Sequence, residues 1–124
     1  MTQEHEDLLL QDLCARLPYG VKVSKVIDNY ISNPLPIRSI NLDNIIVVDG
    51  YFENGAPDID VWSYEEIKPS LFRLSSMTER QKIELTCIID SDYAQIDWYN
   101  KNHFDYRGLI EKGVAINATG LNIY

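Results

Sequence analysis

Four consecutive β-branched residues, Ile45-Ile46-Val47-Val48, constrain this chain more than any other stretch. Branching at Cβ crowds a helix and suits a pleated strand. The run is apolar at every position, so both faces need cover, which predicts a central strand with neighbours. Those neighbours are legible around it. Val21 to Ser24 alternates in the manner of a strand, and Ile37 to Leu42 resumes extended structure after Asn33-Pro34-Leu35-Pro36, which forbids helix and marks a loop. Asp43-Asn44 suits a two-residue hairpin turn, and Asp49-Gly50 and Asn54-Gly55 are further turn signals. Ile59 to Tyr64 reads as a last strand or an extended lead-in. The expected product is a small, curled antiparallel sheet or partial barrel.

Helices flank this sheet. Glu4 to Arg16 places Leu9, Leu10, Leu13 and, just beyond it, Leu17 at three-to-four spacing, with acids in the first turn, Arg16 in the last and Pro18 as the stop. Lys68-Pro69 reads as a boundary, because the residue before proline avoids helix. Beyond it, both Ser76-Met77-Thr78-Glu79 and Thr78-Glu79-Arg80-Gln81 fit a capping box and predict a helix from Glu79 to Ile89. Asp90-Ser91-Asp92 interrupts it or starts a new one, and Tyr93 to Asn102 reads as a second helix with Ile96 and Tyr99 on one face. Asp105 is placed to cap a short turn through Ile110, Gly113 ends it, and Val114-Ala115-Ile116 fits a final strand. The reading is α+β: an N-terminal helix, a small sheet and a helical C-terminal half. At 124 residues the chain has room for one domain, with 1–66 the helix-plus-sheet part and 67–124 the mainly helical part.

Charge narrows the partners. The net charge is −8, and between Asn41 and Ile67 lie seven acids and no base: Asp43, Asp49, Glu53, Asp58, Asp60, Glu65 and Glu66. Such a field repels a phosphate backbone, which disfavours direct nucleic-acid binding, and it recruits basic proteins. No apolar run approaches the roughly 20 residues of a membrane helix. The N-terminal residues lack the basic start and apolar stretch of an export signal. The expected compartment is the cytoplasm, with Cys14 and Cys87 reduced and buried.

Three stretches carry a resemblance: Asp12 to Val23, Ile67 to Glu79, and Asp97 to Gly113, the last with the unbroken run His103-Phe104-Asp105-Tyr106-Arg107-Gly108-Leu109-Ile110. Together they resemble a group of small uncharacterised proteins encoded by phages and prophages of gut anaerobic bacteria. The chain departs from that group's pattern at Ser70, Tyr99 and Asn102. The resemblance implies a phage or prophage accessory protein and no particular chemistry.

Trp98, Tyr99, His103, Phe104, Tyr106 and Arg107 gather rings and a guanidinium within ten residues. Aromatic residues and arginine dominate binding hot spots, so Trp98, His103, Phe104, Tyr106 and Arg107 are the candidate binding residues. The competing reading is a docking segment, with Trp98 and Phe104 anchoring helices on the sheet while Asp105 and Arg107 satisfy backbone groups at a turn. No nucleophile elbow, zinc spacing or glycine-rich phosphate loop accompanies them, so no catalytic residue, metal or cofactor is assigned. The leading expectation is a non-catalytic protein that binds another protein. The alternatives are an inhibitor of a host defence or nucleic-acid-handling protein working through the seven acids, and an enzyme of unknown type.

Overall fold

The computed structural model describes residues 2–41, 45–51, 54–88 and 91–124. Helix α1 (Gln3–Arg16) starts where Thr2 accepts a hydrogen bond from the His5 amide, and acids occupy its first turn. One stripe of α1 is buried: Leu9, Asp12, Leu13 and Arg16. A turn of 3-10 helix over Leu17–Tyr19 follows, with Pro18 in its opening turn, and Gly20 closes it at φ +69°, a conformation that favours glycine.

The strands are β1 (Lys22–Ile27), β2 (Tyr30–Ile31), β3 (Leu35–Ile40), β4 (Ile45–Tyr51), β5 (Pro57–Ser63), β6 (Ile67–Leu71) and β7 (Ile116–Asn117). Among the described residues they form one open sheet in the order β5-β4-β3-β1-β6-β7, with β2 paired to β1. The expected antiparallel pattern holds from β5 to β6, while β6 and β7 run parallel, so the sheet is mixed. The four β-branched residues open β4, which is flanked by β3 and β5 as the sequence requires, with Ile46 and Val48 fully buried. Asp43-Asn44, the expected hairpin turn, lies outside the described residues.

The largest departure is β6. The stretch read as a boundary at Lys68-Pro69 is a strand, and Pro69 pairs with Val23 while Pro36 of β3 pairs with Lys22 on the other side of β1. A proline removes one N–H from a ladder but leaves its carbonyl, and it excludes helix rather than strand. Ile67 and Leu71 are buried there against Leu9, Leu13, Val23, Val48 and Trp62.

Thr78, rather than Ser76, caps α2 (Glu79–Thr86): its hydroxyl accepts from the Gln81 amide, and the Gln81 side chain accepts from the Thr78 amide. No residue of α2 is buried. Ser91 caps α3 (Asp92–Lys101). The buried residues of α3 are Trp98 and Asn100, whereas Ile96, read from the sequence as sharing a face with Tyr99, is 41% exposed. Both cysteines are free and exposed, against the expectation of burial. Among the described residues no helix is long and apolar enough to cross a membrane.

Candidate functional site

The segment from Asn102 to Arg107 is fastened to the end of β6. The Phe72 amide donates to the His103 carbonyl, and the Asp105 amide donates back to the Phe72 carbonyl, each at 2.8 Å. His103 sits at φ +62°, the left-handed conformation that ends a helix, and so redirects the chain from α3 toward β6. The Phe104 ring then stacks on Trp98 at 5.5 Å with an interplanar angle of 6°. The Trp98 indole donates to Glu84 of α2, which is how that otherwise exposed helix is held.

These contacts sort the five candidate residues. Trp98, His103 and Phe104 are buried, at 6, 7 and 2% exposure, and serve as packing elements, while Tyr106 and Arg107 are half-buried. The segment therefore turns three of its members inward and two toward the surface. Asp105 does what its position suggested: its two carboxylate oxygens accept from the amides of Leu109 and Ile110. That use commits the carboxylate to backbone donors. Arg107 pairs with a side chain rather than with the turn, because its Nε lies 3.3 Å from Asp12.

Asp12 and Arg16 form the polar heart of the site, and the sequence reading passed over both. They lie four apart on the same stripe as Leu9 and Leu13, so the signal was present: an acid and a base inside an apolar face must pair. Arg16 donates to Asp12 at 2.9 Å and to the carbonyls of Tyr99 and Phe104 at 3.3 and 2.5 Å. Both residues are fully buried. Burial pushes the Asp12 carboxyl above its ordinary value, and the guanidiniums of Arg16 and Arg107 oppose that push. Arg107 also lies over the Tyr106 ring at 4.7 Å, and Tyr106 stacks on Tyr99 at 5.6 Å.

His103 faces the other way. Its ring stacks on Tyr124 at 3.8 Å, and its buried Nδ1 has no hydrogen-bond partner among the described residues. Tyr124 in turn accepts from the Lys22 amide and donates to the Ser70 carbonyl. Burial, then the charges of Arg16 and Lys22, lower the His103 pKa to about 4, so the imidazole is neutral at physiological pH. Burial raises the Tyr124 hydroxyl to about 12.

Two depressions flank Tyr106. One, of about 340 Å³, lies between Arg73-Leu74-Ser75 and Gly108. The other, of about 250 Å³, lies between the end of α1 and α3, lined by Ala15, Tyr93, Ile96, Asp97, Asn100, Tyr106 and Arg107. Its rim carries Tyr93, 81% exposed, and Ile96. Asn100 Oδ1 and the Tyr106 hydroxyl, in residues that line it, are shielded from solvent and have no hydrogen-bond partner among the described residues. Tyr93, Ile96, Asp97 and Asn100 thus join Tyr106 and Arg107, a grouping without a sequence signal because these side chains meet only once α3 is set against α1.

The acidic stretch is put to several uses. Asp43 and Glu53 lie outside the described residues. Asp49 lies 3.9 Å from Arg38, and Glu66 lies 3.7 Å from Lys25. Asp58 and Asp60 accept hydrogen bonds from the amides of Ile59 and Val61 on their own strand. Glu65 is exposed. Among the described residues no group of three or more His, Cys, Asp or Glu is placed to hold a metal ion. Comparison with protein-family models, curated proteins and solved structures gives no match to this chain.

Proposed function

We propose that this chain is a non-catalytic accessory protein that binds another protein through the depression between α1 and α3. One observation carries the reading: Tyr93 and Ile96, both exposed, rim a depression whose lining includes Tyr106 and Arg107. An exposed ring on a rim adds apolar contact area with few rotors, which is how aromatic residues come to dominate binding surfaces. The complementary surface is a protein segment presenting an apolar side chain small enough for about 250 Å³. The resemblance to phage and prophage proteins sets the expected context as the bacterial cytoplasm.

The test uses positions on the rim rather than in the buried network. Tyr93→Ala and Ile96→Ser are exposed changes, expected to leave stability within about 0.5 kcal/mol of the parent. Affinity capture from bacterial lysate, followed by titration of the captured protein, should show at least about tenfold weaker binding for the double variant. An unchanged affinity in a variant that is folded by circular dichroism refutes the assignment of this surface. Repeating the titration at two salt concentrations separates this surface from the acids of β4 and β5, since only the charged route weakens with salt.

A further inference from the structure

Among the described residues, the edge strand β5 has β4 on one side and no strand on the other. In an antiparallel ladder alternate residues turn their N–H and C=O groups toward the neighbour, and the residues between turn them away. The amides of Ile59 and Val61 donate to the carboxylates of Asp58 and Asp60, at 2.7 and 3.0 Å. Ile59 and Val61 are therefore the outward positions, and each outward N–H is covered by the side chain just before it. Pro57 shares their phase and has no N–H to present. From 57 to 61, each outward donor is either missing or occupied.

Without this cover the strand is suited to pairing. It is seven residues long, and Ile59 and Val61 are 51 and 57% exposed. A long edge with apolar side chains recruits another strand, and the strand always at hand is the same one in a second molecule. Two β5 strands meeting antiparallel about a twofold axis at Asp60 would set Ile59 opposite Val61, a favourable apolar pair. The same register sets Asp60 opposite its own counterpart in a non-hydrogen-bonded pair, with Cα atoms about 4.5 Å apart. Like charges directly opposite are destabilising.

We infer that Asp58 and Asp60 hold β5 apart from a second copy of this chain, by covering its outward amides and by placing like charges on the twofold axis. Their loss turns the edge into a homodimer interface.

Sedimentation velocity over a concentration series tests this on the full chain. The Asp58→Ala/Asp60→Ala variant should self-associate about tenfold or more tightly than the parent. Adding Val61→Pro should reverse the gain, because proline withdraws an outward N–H and leaves the β4 side intact. The Asp58→Asn/Asp60→Asn variant keeps an acceptor but loses charge, so it should fall between the parent and the alanine pair. An alanine pair that folds and associates no more than the parent overturns the inference, as does association that survives Val61→Pro. Should the alanine pair fail to fold, the asparagine pair decides: a gain over the parent that Val61→Pro removes supports the inference, and no gain overturns it.

Discussion

Replacing His103 by asparagine should flatten the acid limb of this protein's stability curve. The imidazole is 7% exposed, stacked on Tyr124, and faces the cations Arg16 and Lys22, with Asp12 beyond them the acid paired to Arg16. Its pKa falls from 6.5 to about 4. Above pH 6.5 the ring is neutral in folded and unfolded chains alike and the full stability is present. Below it the unfolded chain takes up a proton that the folded ring refuses, so stability falls as pH drops and levels off only below the folded value. The gap amounts to roughly 3.4 kcal/mol at most. Solvent reaches the stack, since Tyr124 is 39% exposed, so about 2 kcal/mol is the expected size. Asparagine tolerates the left-handed backbone at φ +62° and does not titrate, which makes it the control. Urea unfolding at steps from pH 7 to pH 4 should show the parent losing about 2 kcal/mol more than His103→Asn. Carboxylates titrate in the same range in both proteins and drop out of the difference. Parallel curves, or a resonance assigned to the His103 imidazole that titrates near 6.5, would refute the argument.

Two further outcomes follow from the same network. Asp12→Ala leaves the fully buried Arg16 without its carboxylate, and urea unfolding should register a loss of about 3–5 kcal/mol. Asp105→Ala strands the amides of Leu109 and Ile110, and thermal unfolding should report about 2 kcal/mol lost; an effect below about 0.5 kcal/mol would mean that water replaces the cap.

Local chemistry made part of this structure legible. The α1 stripe, the Thr78–Gln81 capping box and the Asp105 cap are each decided within four or five residues, and all three are present. So is the place of β4, because four β-branched residues admit few alternatives. What escaped depends on distant partners. Lys68-Pro69 forbids helix, and only the presence of β1 beside it makes the segment a strand. On α3 the face was read from Ile96 and Tyr99, but the indole of Trp98 is claimed by Phe104 and Glu84, and that claim fixes the helix rotation. The candidate site was half legible for the same reason. Tyr106 and Arg107 stand out by residue type, whereas Asn100 matters only because α3 lies over the end of α1.

The position of β6 has a consequence for how the molecule is made. Val23 in β1 waits for Pro69, and the end of β6 waits in turn for His103 and Asp105. A ribosome releases these residues in order, so β1 emerges long before the neighbour that covers its flank. β1 can pair early with β2 and β3, but its other flank stays open until β6 has appeared. Severing the backbone between β5 and β6 would yield two fragments, each exposing a raw sheet margin. Recombining those fragments, rather than folding either alone, is the route by which such a split protein would regain its shape.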